Sequence, residues 1–169
     1  SPTTILITNC DGDHFDVFDS VEQYQETFVQ FLKKLPAAGK VITHMQDSDC
    51  EKVVRGAGLE KRTIAADKTI ALPDIRLSVP GRHMVDNAIL VHALAEELGI
   101  DLATVQVSLE NFTGTWRRME EKGRMPNGAI VVDDYAHHPR EVVATVAATI
   151  QKYPDAKRLI CLFQPHMNN

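Results

Sequence analysis

Apolar side chains recur along the chain with two different spacings, and each change of spacing marks a predicted element. Short runs of apolar and β-branched residues at 3–9 and 40–44 predict buried strands. Between them, apolar side chains recur every three or four positions from 21 to 35, which is the helical period. Asp19 or Ser20 is the predicted N-cap of this helix, because their side-chain oxygens can accept hydrogen bonds from the first turn. The chain therefore begins as strand, helix, strand.

The same two spacings extend the alternation of strands and helices along the rest of the chain. Further helices are predicted at 47–58, 83–100, 102–112 and 139–154, and further strands at 61–66, 75–81, 129–134 and 158–163. Residues 113–129 interrupt the pattern with charged residues, glycines and a proline, and we expect them to be irregular. We therefore predict a domain boundary near 112–114, with one domain at 1–112 and a second at 113–169.

Alternating strands and helices predict the α/β fold class, in which ligands bind beyond the carboxyl ends of parallel strands. Three polar clusters follow predicted strands: NCDGDHFD at 9–16, DDYAHHP at 133–139 and QPH at 164–166. Each cluster therefore lies where the fold class is expected to place a ligand, and each is a candidate site.

Composition and charge narrow the possible classes of protein. The chain has 169 residues, 44% of them hydrophobic, which is enough for a buried core. A formal net charge of -5 argues against a surface that neutralises nucleic-acid phosphates, and no apolar run approaches the roughly 20 residues needed to cross a bilayer. Cys10, Cys50 and Cys161 form no CxxC pair, so neither a disulfide framework nor a zinc site is indicated. We predict a cytoplasmic protein that binds neither nucleic acid nor membranes.

The first polar cluster has two possible interpretations. Its members are Asp11, Asp13, His14 and Asp16. They can form a solvated turn before the next helix. Alternatively, carboxylate oxygens with one imidazole suit Mg²⁺ or Mn²⁺ bound together with phosphate.

The residues of the second cluster also allow two interpretations. Asp133 or Asp134 can cap the following helix while the two adjacent histidines are polar loop residues. Because neighbouring histidines point in different directions, separate partners are favoured over a shared metal. Arg117 and Arg118 form either a solvated basic turn or a guanidinium site for phosphate.

Five sequence blocks occur in the same order as in a known family. They are ITNCDGDHFDVF, PGRHMVDNA, FTGTWRRME, VVDDYAHHPREV and LFQPH. Together they span nearly the whole chain and resemble the ATP-dependent Mur ligases of peptidoglycan precursor synthesis. DDYAHHP followed by FQPH resembles the branch that adds L-alanine to UDP-N-acetylmuramate more than the branch that recycles murein tripeptide. The resemblance implies part of the central ATP-binding domain followed by the beginning of a Rossmann-like C-terminal domain.

The resemblance also implies roles for nucleotide-binding residues. His14 corresponds to a Mg²⁺ ligand beside the ATP γ-phosphate, and Asn87 to an asparagine that contacts adenine. Arg118 corresponds to an arginine associated with the ATP phosphates, and Asp134 to an aspartate associated with the nucleotide ribose. Met84 stands where the family has another adenine-contacting asparagine, so we expect adenine recognition to depend on Asn87.

Three histidines, His137, His138 and His166, are implied to line the cleft where the sugar-linked carboxylate and the amino acid meet. Activation of a carboxylate by ATP gives an acyl phosphate, and cations must offset the repulsion between the two anions. Mg²⁺ at His14 and the guanidinium of Arg118 are expected to do so. Attack by the amine then requires removal of a proton, for which His137 and His138 are catalytic candidates.

ATP and Mg²⁺ are therefore the implied cofactors, and UDP-N-acetylmuramate and L-alanine the implied substrates. The sequence contains no phosphate-binding loop with its lysine, so we expect this chain to be a fragment that does not turn over alone. Three alternatives stay open: another Mur-family ligase such as the murein tripeptide ligase, a non-catalytic nucleotide-binding relative, and an unrelated metal-dependent hydrolase.

Overall fold

The computed structural model describes residues 2–69 and 76–165. These residues form two compact units. The first unit contains residues 2–69 and 86–106, and the second contains residues 76–85 and 107–165. The boundary near 112–114 stays a prediction.

The first unit is built around a parallel sheet of three strands in the order β1-β2-β3. The strands are β1 (Thr4–Leu6), β2 (Lys40–Thr43) and β3 (Thr63–Ala65). The helices between and after them are α1 (Val21–Leu32), α2 (Ser48–Gly56) and α3 (Ala66–Thr69), with a 3₁₀ turn at Glu60–Arg62. Two further helices follow, α4 (Arg82–Glu97) and α5 (Leu102–Glu110). The predicted alternation of strands and helices is confirmed in this part of the chain.

The central strand β2 is covered on both faces. Val41 belongs to an apolar cluster with residues of α1 and α2, including Leu32 and Val53. Ile42, the next residue, belongs to a second cluster with Leu90 and other residues of α4. Successive strand side chains point to opposite faces, so these two contacts put helices on both sides of the sheet. This is the layered α/β arrangement that the sequence predicted.

Side-chain caps fix the start of both helices that follow β1 and β2. Ser20 is the N-cap of α1, and its Oγ accepts a hydrogen bond from Gln23 N at 3.2 Å. Of the two caps proposed from the sequence, Ser20 is therefore the correct one. Asp47 caps α2, since its carboxylate accepts from Asp49 N at 3.0 Å and Cys50 N at 2.9 Å. Each cap satisfies N–H groups that have no partner within the helix.

The second unit contains an antiparallel hairpin and one long helix. Strands β4 (Glu120–Arg124) and β5 (Ile130–Asp133) pair with each other, and α6 (Pro139–Lys152) follows. Three buried apolar residues, Val79, Met119 and Ala148, form its core, against which Met84 and Val132 pack. Met84 is thus a packing residue in this unit.

Three expectations about strands are wrong. Residues 76–81 of the predicted strand 75–81 are not in a strand, and Pro80, which has no N–H to donate to a sheet, precedes Gly81 at φ 113°. Residues 120–124, expected to be irregular, form β4. The segment 158–163 is not in a strand, so the expected second strand–helix–strand unit ends after α6.

No helix among the described residues is long and apolar enough to cross a membrane.

Candidate active site

The acidic loop, which we define as residues 9–19, connects β1 to α1 and presents His14. His14 has a left-handed backbone at φ 56°, and its carbonyl accepts hydrogen bonds from Val17 N and Phe18 N. Its exposed ring lies between two carboxylates. Nε2 is 3.8 Å from Asp13 Oδ2, and Nδ1 is 4.0 Å from Asp16 Oδ1. The loop therefore directs an imidazole and two acids towards solvent.

The acidic loop offers carboxylate oxygens and imidazole nitrogens, which are possible ligands for Mg²⁺. Within residues 2–69 and 76–165, no group of three or more His, Cys, Asp and Glu side chains is arranged to hold a metal ion. Mg²⁺ usually takes only one or two protein ligands and completes its shell with water and substrate phosphate oxygens. One imidazole with a neighbouring carboxylate could supply part of such a shell, but the described loop is not arranged as a complete metal site.

Helix α4 carries the two positions that the sequence linked to adenine. Asn87 is exposed, as a ligand-binding side chain should be. Met84, one turn earlier, is partly buried against Val79 and Met119. The residue that replaces the family's asparagine therefore packs in an apolar cluster.

The arginine turn, residues 114–119, holds an unusual backbone. Arg117 and Met119 are not glycines, yet they have φ values of 53° and 51°. The residue between them, Arg118, is consequently directed differently from Arg117. Such left-handed conformations cost free energy for residues with a Cβ, so they must be held by the surroundings.

The two arginines of this turn pair with different carboxylates. Arg117 Nε lies 3.3 Å from Asp133 Oδ2, and its guanidinium lies 5.0 Å from the centre of the Tyr135 ring. Arg118 Nη1 lies 3.3 Å from Glu141 Oε1. Arg117 is therefore held by both an ion pair and a ring, while Nη1 of Arg118 also lies 4.0 Å from Asp134 Oδ1.

Asp134 joins the arginine turn to the histidine loop, which we define as residues 133–138. Its side chain is 11% exposed. One carboxylate oxygen accepts from Met119 N and the other from Ala136 N, both at 2.8 Å. These bonds hold the left-handed residue 119 and the turn at 134–136. Tyr135 N also donates to Arg117 O at 2.8 Å, so the two segments are bonded twice.

The histidines take part in the start of α6. His138 is the N-cap, and its Nδ1 accepts from Arg140 N at 3.3 Å. Neither Asp133 nor Asp134 caps the helix, which corrects that interpretation of the sequence. The Glu141 carboxylate accepts in return from the backbone N–H groups of His137 and His138, at 3.1 and 3.3 Å. This reciprocal capping box fixes the loop against the helix.

The two imidazoles have opposite hydrogen-bonding roles. His137 Nδ1 lies 3.0 Å from Tyr135 O, which can only accept, so His137 donates from Nδ1. In a neutral ring the lone pair of His137 is then on Nε2. His138 accepts at Nδ1, so the proton of its neutral ring is on Nε2. The pair thus offers one basic nitrogen and one N–H donor.

Glu141 is a site residue that the sequence interpretation missed. Although burial raises its pKa, the backbone N–H groups of His137 and His138 and the charge of Arg118 lower the pKa of this carboxyl below its ordinary value. It is therefore ionised at neutral pH. The sequence carries no ordinary capping-box signal for Glu141, because histidine is not a common N-cap residue.

The structure also places an open concavity of about 390 Å³ beside the arginine turn. Arg118 and Lys152 contribute positive charge to its lining, and Glu120 and Glu121 contribute negative charge. It belongs entirely to the second unit.

The predicted site residues are thus distributed over both units. His14 and Asn87 belong to the first unit, and Arg118, Asp134, His137 and His138 belong to the second. In the second unit, the arginine turn and the histidine loop bring these four residues together. Glu141 contacts Arg118 and both histidines, and Asp134 also lies beside Arg118. His166 lies outside the described residues.

Comparison with known proteins agrees with this fold. Residues 1–72 match the model of the Mur ligase middle domain, and residues 117–168 match that of the Mur ligase, glutamate ligase domain. The chain belongs to the Mur ligase family. Among its relatives are proteins named UDP-N-acetylmuramate--L-alanine ligase. One from Geobacter sp. strain M21 is 34% identical over 98% of this chain, and one from Syntrophobacter fumaroxidans is 32% identical over 98% of it.

A solved structure extends the likeness to three dimensions. The crystal structure of UDP-N-acetylmuramate-alanine ligase MurC from Thermotoga maritima matches 93% of this chain with a TM-score of 0.71 and 28% identity. The match covers 40% of that protein. The chain likewise spans 41% and 40% of the two relatives from Geobacter and Syntrophobacter.

Proposed function

We propose that this chain is part of an ATP-dependent ligase that joins L-alanine to UDP-N-acetylmuramate. The observation that carries the proposal is the identity of about one residue in three, over 98% of the chain, to ligases named for that reaction. ATP first phosphorylates the sugar-linked carboxylate and leaves ADP. The amine of L-alanine then displaces phosphate from the acyl phosphate and loses a proton, which forms the amide.

Arg118 is our candidate for the charge that meets the ATP phosphates. Its side chain is 46% exposed and its ion pair with Glu141 is open to solvent, so phosphate oxygens can replace the carboxylate. Bound Mg²⁺ supplies further neutralisation of phosphate charge, and His14, with Asp13 and Asp16 beside it, is the residue we propose to hold it.

Asp134 and Asn87 are the proposed contacts to the nucleoside. Each carboxylate oxygen of Asp134 accepts one backbone N–H, and a carboxylate oxygen can accept a second bond. Asp134 can therefore hold the turn and still accept a hydrogen bond from a ribose hydroxyl. Asn87 offers an exposed amide, which can both donate to and accept from an adenine edge.

His137 is the proposed general base for the attacking amine, because its neutral ring carries the lone pair on Nε2. His138 presents Nε2–H in its neutral form and is the proposed donor to a substrate oxygen. His166 is proposed as a further substrate-binding histidine on the basis of the sequence alone.

The test is ADP release by the intact protein that carries these residues, with ATP, Mg²⁺, UDP-N-acetylmuramate and L-alanine. We expect release to depend on both UDP-N-acetylmuramate and L-alanine, and to be absent from the isolated 169 residues. Murein tripeptide replaces L-alanine in the matched control. Preference for the tripeptide would reassign the substrate, and tight Mg·ATP binding without ligation would indicate a nucleotide-binding relative.

We also propose a cytoplasmic location. It is supported by the three cysteines, none of which is in a disulfide.

A further inference from the structure

Glu141 contacts three of the residues to which the proposed function gives a role. One oxygen, Oε1, lies 3.3 Å from Arg118 Nη1. The other, Oε2, accepts from His137 N and His138 N and lies 3.7 Å from His137 Nδ1. The Glu141 carboxylate therefore helps to orient the Arg118 guanidinium, which Asp134 Oδ1 also approaches at 4.0 Å, and it holds the backbone under two imidazoles.

We propose that Glu141 is a positioning residue of the ligase site, which directs Arg118 towards the ATP phosphates and keeps the histidine loop against α6. This inference rests on the proposed function. Glu141 acts through the other residues, and no contact between it and the reacting atoms is required.

The two oxygens of Glu141 perform separable tasks. Oε2 completes the capping box, and any side chain with an acceptor oxygen at the same reach can replace it. Oε1 attracts the Arg118 guanidinium, and this attraction needs a negative charge. A pair with side chains 46% and 34% exposed is weak, so the guanidinium is oriented and yet can be drawn away by phosphate.

Glu141→Gln separates the two tasks, because the amide oxygen keeps the capping bonds and the charge is lost. In the intact protein we expect the KM for ATP to rise about fivefold, equivalent to ~1 kcal/mol, with kcat within about twofold. Glu141→Ala removes both tasks, so we expect it also to lower kcat and the unfolding temperature.

Glu51→Gln is the matched control. It breaks a Glu–Arg pair with Arg55 on α2, with an N–O distance of 2.8 Å, and neither residue has a role in the proposed function. We expect its kinetic constants to equal those of the unchanged protein. An unchanged KM for ATP in Glu141→Gln, or an equal rise in Glu51→Gln, would overturn the inference.

A second measurement does not depend on the ligase reaction. In ¹⁵N relaxation of the intact protein, we expect the Arg118 Nε–H order parameter to fall in Glu141→Gln and to stay unchanged in Glu51→Gln. If the intact protein shows no alanine-dependent ADP release, the proposed function fails, and this order parameter still decides whether Glu141 positions Arg118. An order parameter that does not change would contradict the positioning role.

Discussion

At the scale of single residues, the arginine turn shows how the backbone conformation separates two neighbouring side chains. Arg117 and Met119 occupy left-handed conformations that favour glycine. The turn is held because the Asp134 carboxylate accepts from Met119 N and because Arg117 N donates to Glu120 Oε2 at 2.9 Å. Arg118, between them, is consequently paired with Glu141 rather than with Asp133. Asp134 thus holds the turn that carries Arg118, the proposed phosphate-binding residue.

We therefore expect Asp134→Ala to lower the free energy of unfolding by about 1–3 kcal/mol, because two N–H groups in a largely buried position lose their acceptor. Asp133→Ala is the matched control. It removes only a partly exposed pair with Arg117 and should cost at most about 1 kcal/mol. Urea unfolding of both variants measures the difference. Equal losses would show that Asp134 does not support the turn.

Glu141 gives a prediction about pH. Its pKa in the folded protein lies below the ordinary value, since the N–H groups of His137 and His138 and the charge of Arg118 outweigh the effect of burial. A group with a depressed folded-state pKa stabilises the fold above its unfolded pKa of about 4.3, and this stabilisation is lost as pH falls through the folded pKa.

Urea midpoints measured from pH 6 to pH 3 should consequently fall more steeply for the unchanged protein than for Glu141→Gln. Glutamine carries no titrating proton, so the contribution of this position becomes independent of pH. Parallel profiles for the two proteins would contradict the expected role of the Glu141 charge.

At the scale of elements, the sequence predicted those parts that have a strong local pattern. Strand 40–44 and the helix that begins at Pro139 agree with β2 and α6 to within two residues, because apolar spacing and Pro139 mark them directly. Strand β4 has no apolar alternation in EEKGR and was missed. It forms because the turn at 125–128, closed by Gly128 N donating to Met125 O, pairs it with β5. The Asn127-Gly128 pair is a hairpin signal that could have revealed it.

The sequence indicated the segments of the candidate site but not the contacts between them. Residue types and order sufficed to select the acidic loop, the arginine turn and the histidine loop. Local spacing did not reveal that His138, rather than an aspartate, caps α6, since histidine is not a common N-cap. Nor could it reveal that Asp134 bonds to Met119, because that contact depends on the hairpin between them.

The central strand offers a direct test of the core of the first unit. Ile42 has no exposed surface and packs against Leu90 of α4. We expect Ile42→Ala to lower the free energy of unfolding by about 2–5 kcal/mol, because it leaves a cavity between sheet and helix. Ile150→Ala, at a position with 59% exposure on α6, is the control and should change it by less than about 0.5 kcal/mol. Similar values from urea unfolding would mean that β2 is not the centre of the core.

At the scale of the whole molecule, the first unit has two apolar clusters and the second has one, and residues 158–163 are in none of them. The segment 158–163 was predicted as a strand, but it forms none, and four of its apolar side chains are exposed, from Leu159 at 45% to Leu162 at 95%. The strand expectation is therefore wrong for this segment, because the described residues supply no partner strand for it.

This exposed segment predicts how the 169-residue chain behaves at high concentration. A short apolar stretch with unpaired backbone groups can pair with the same stretch of another molecule. We expect Ile160→Lys with Leu162→Lys to keep the chain dispersed at concentrations where the unchanged chain scatters light. The unfolding free energy should stay within about 0.5 kcal/mol, because neither side chain is buried. Ala103→Lys with Gln151→Lys adds the same charge at exposed helical positions and is the control. If that control disperses the chain equally well, net charge rather than the 158–163 segment governs its association.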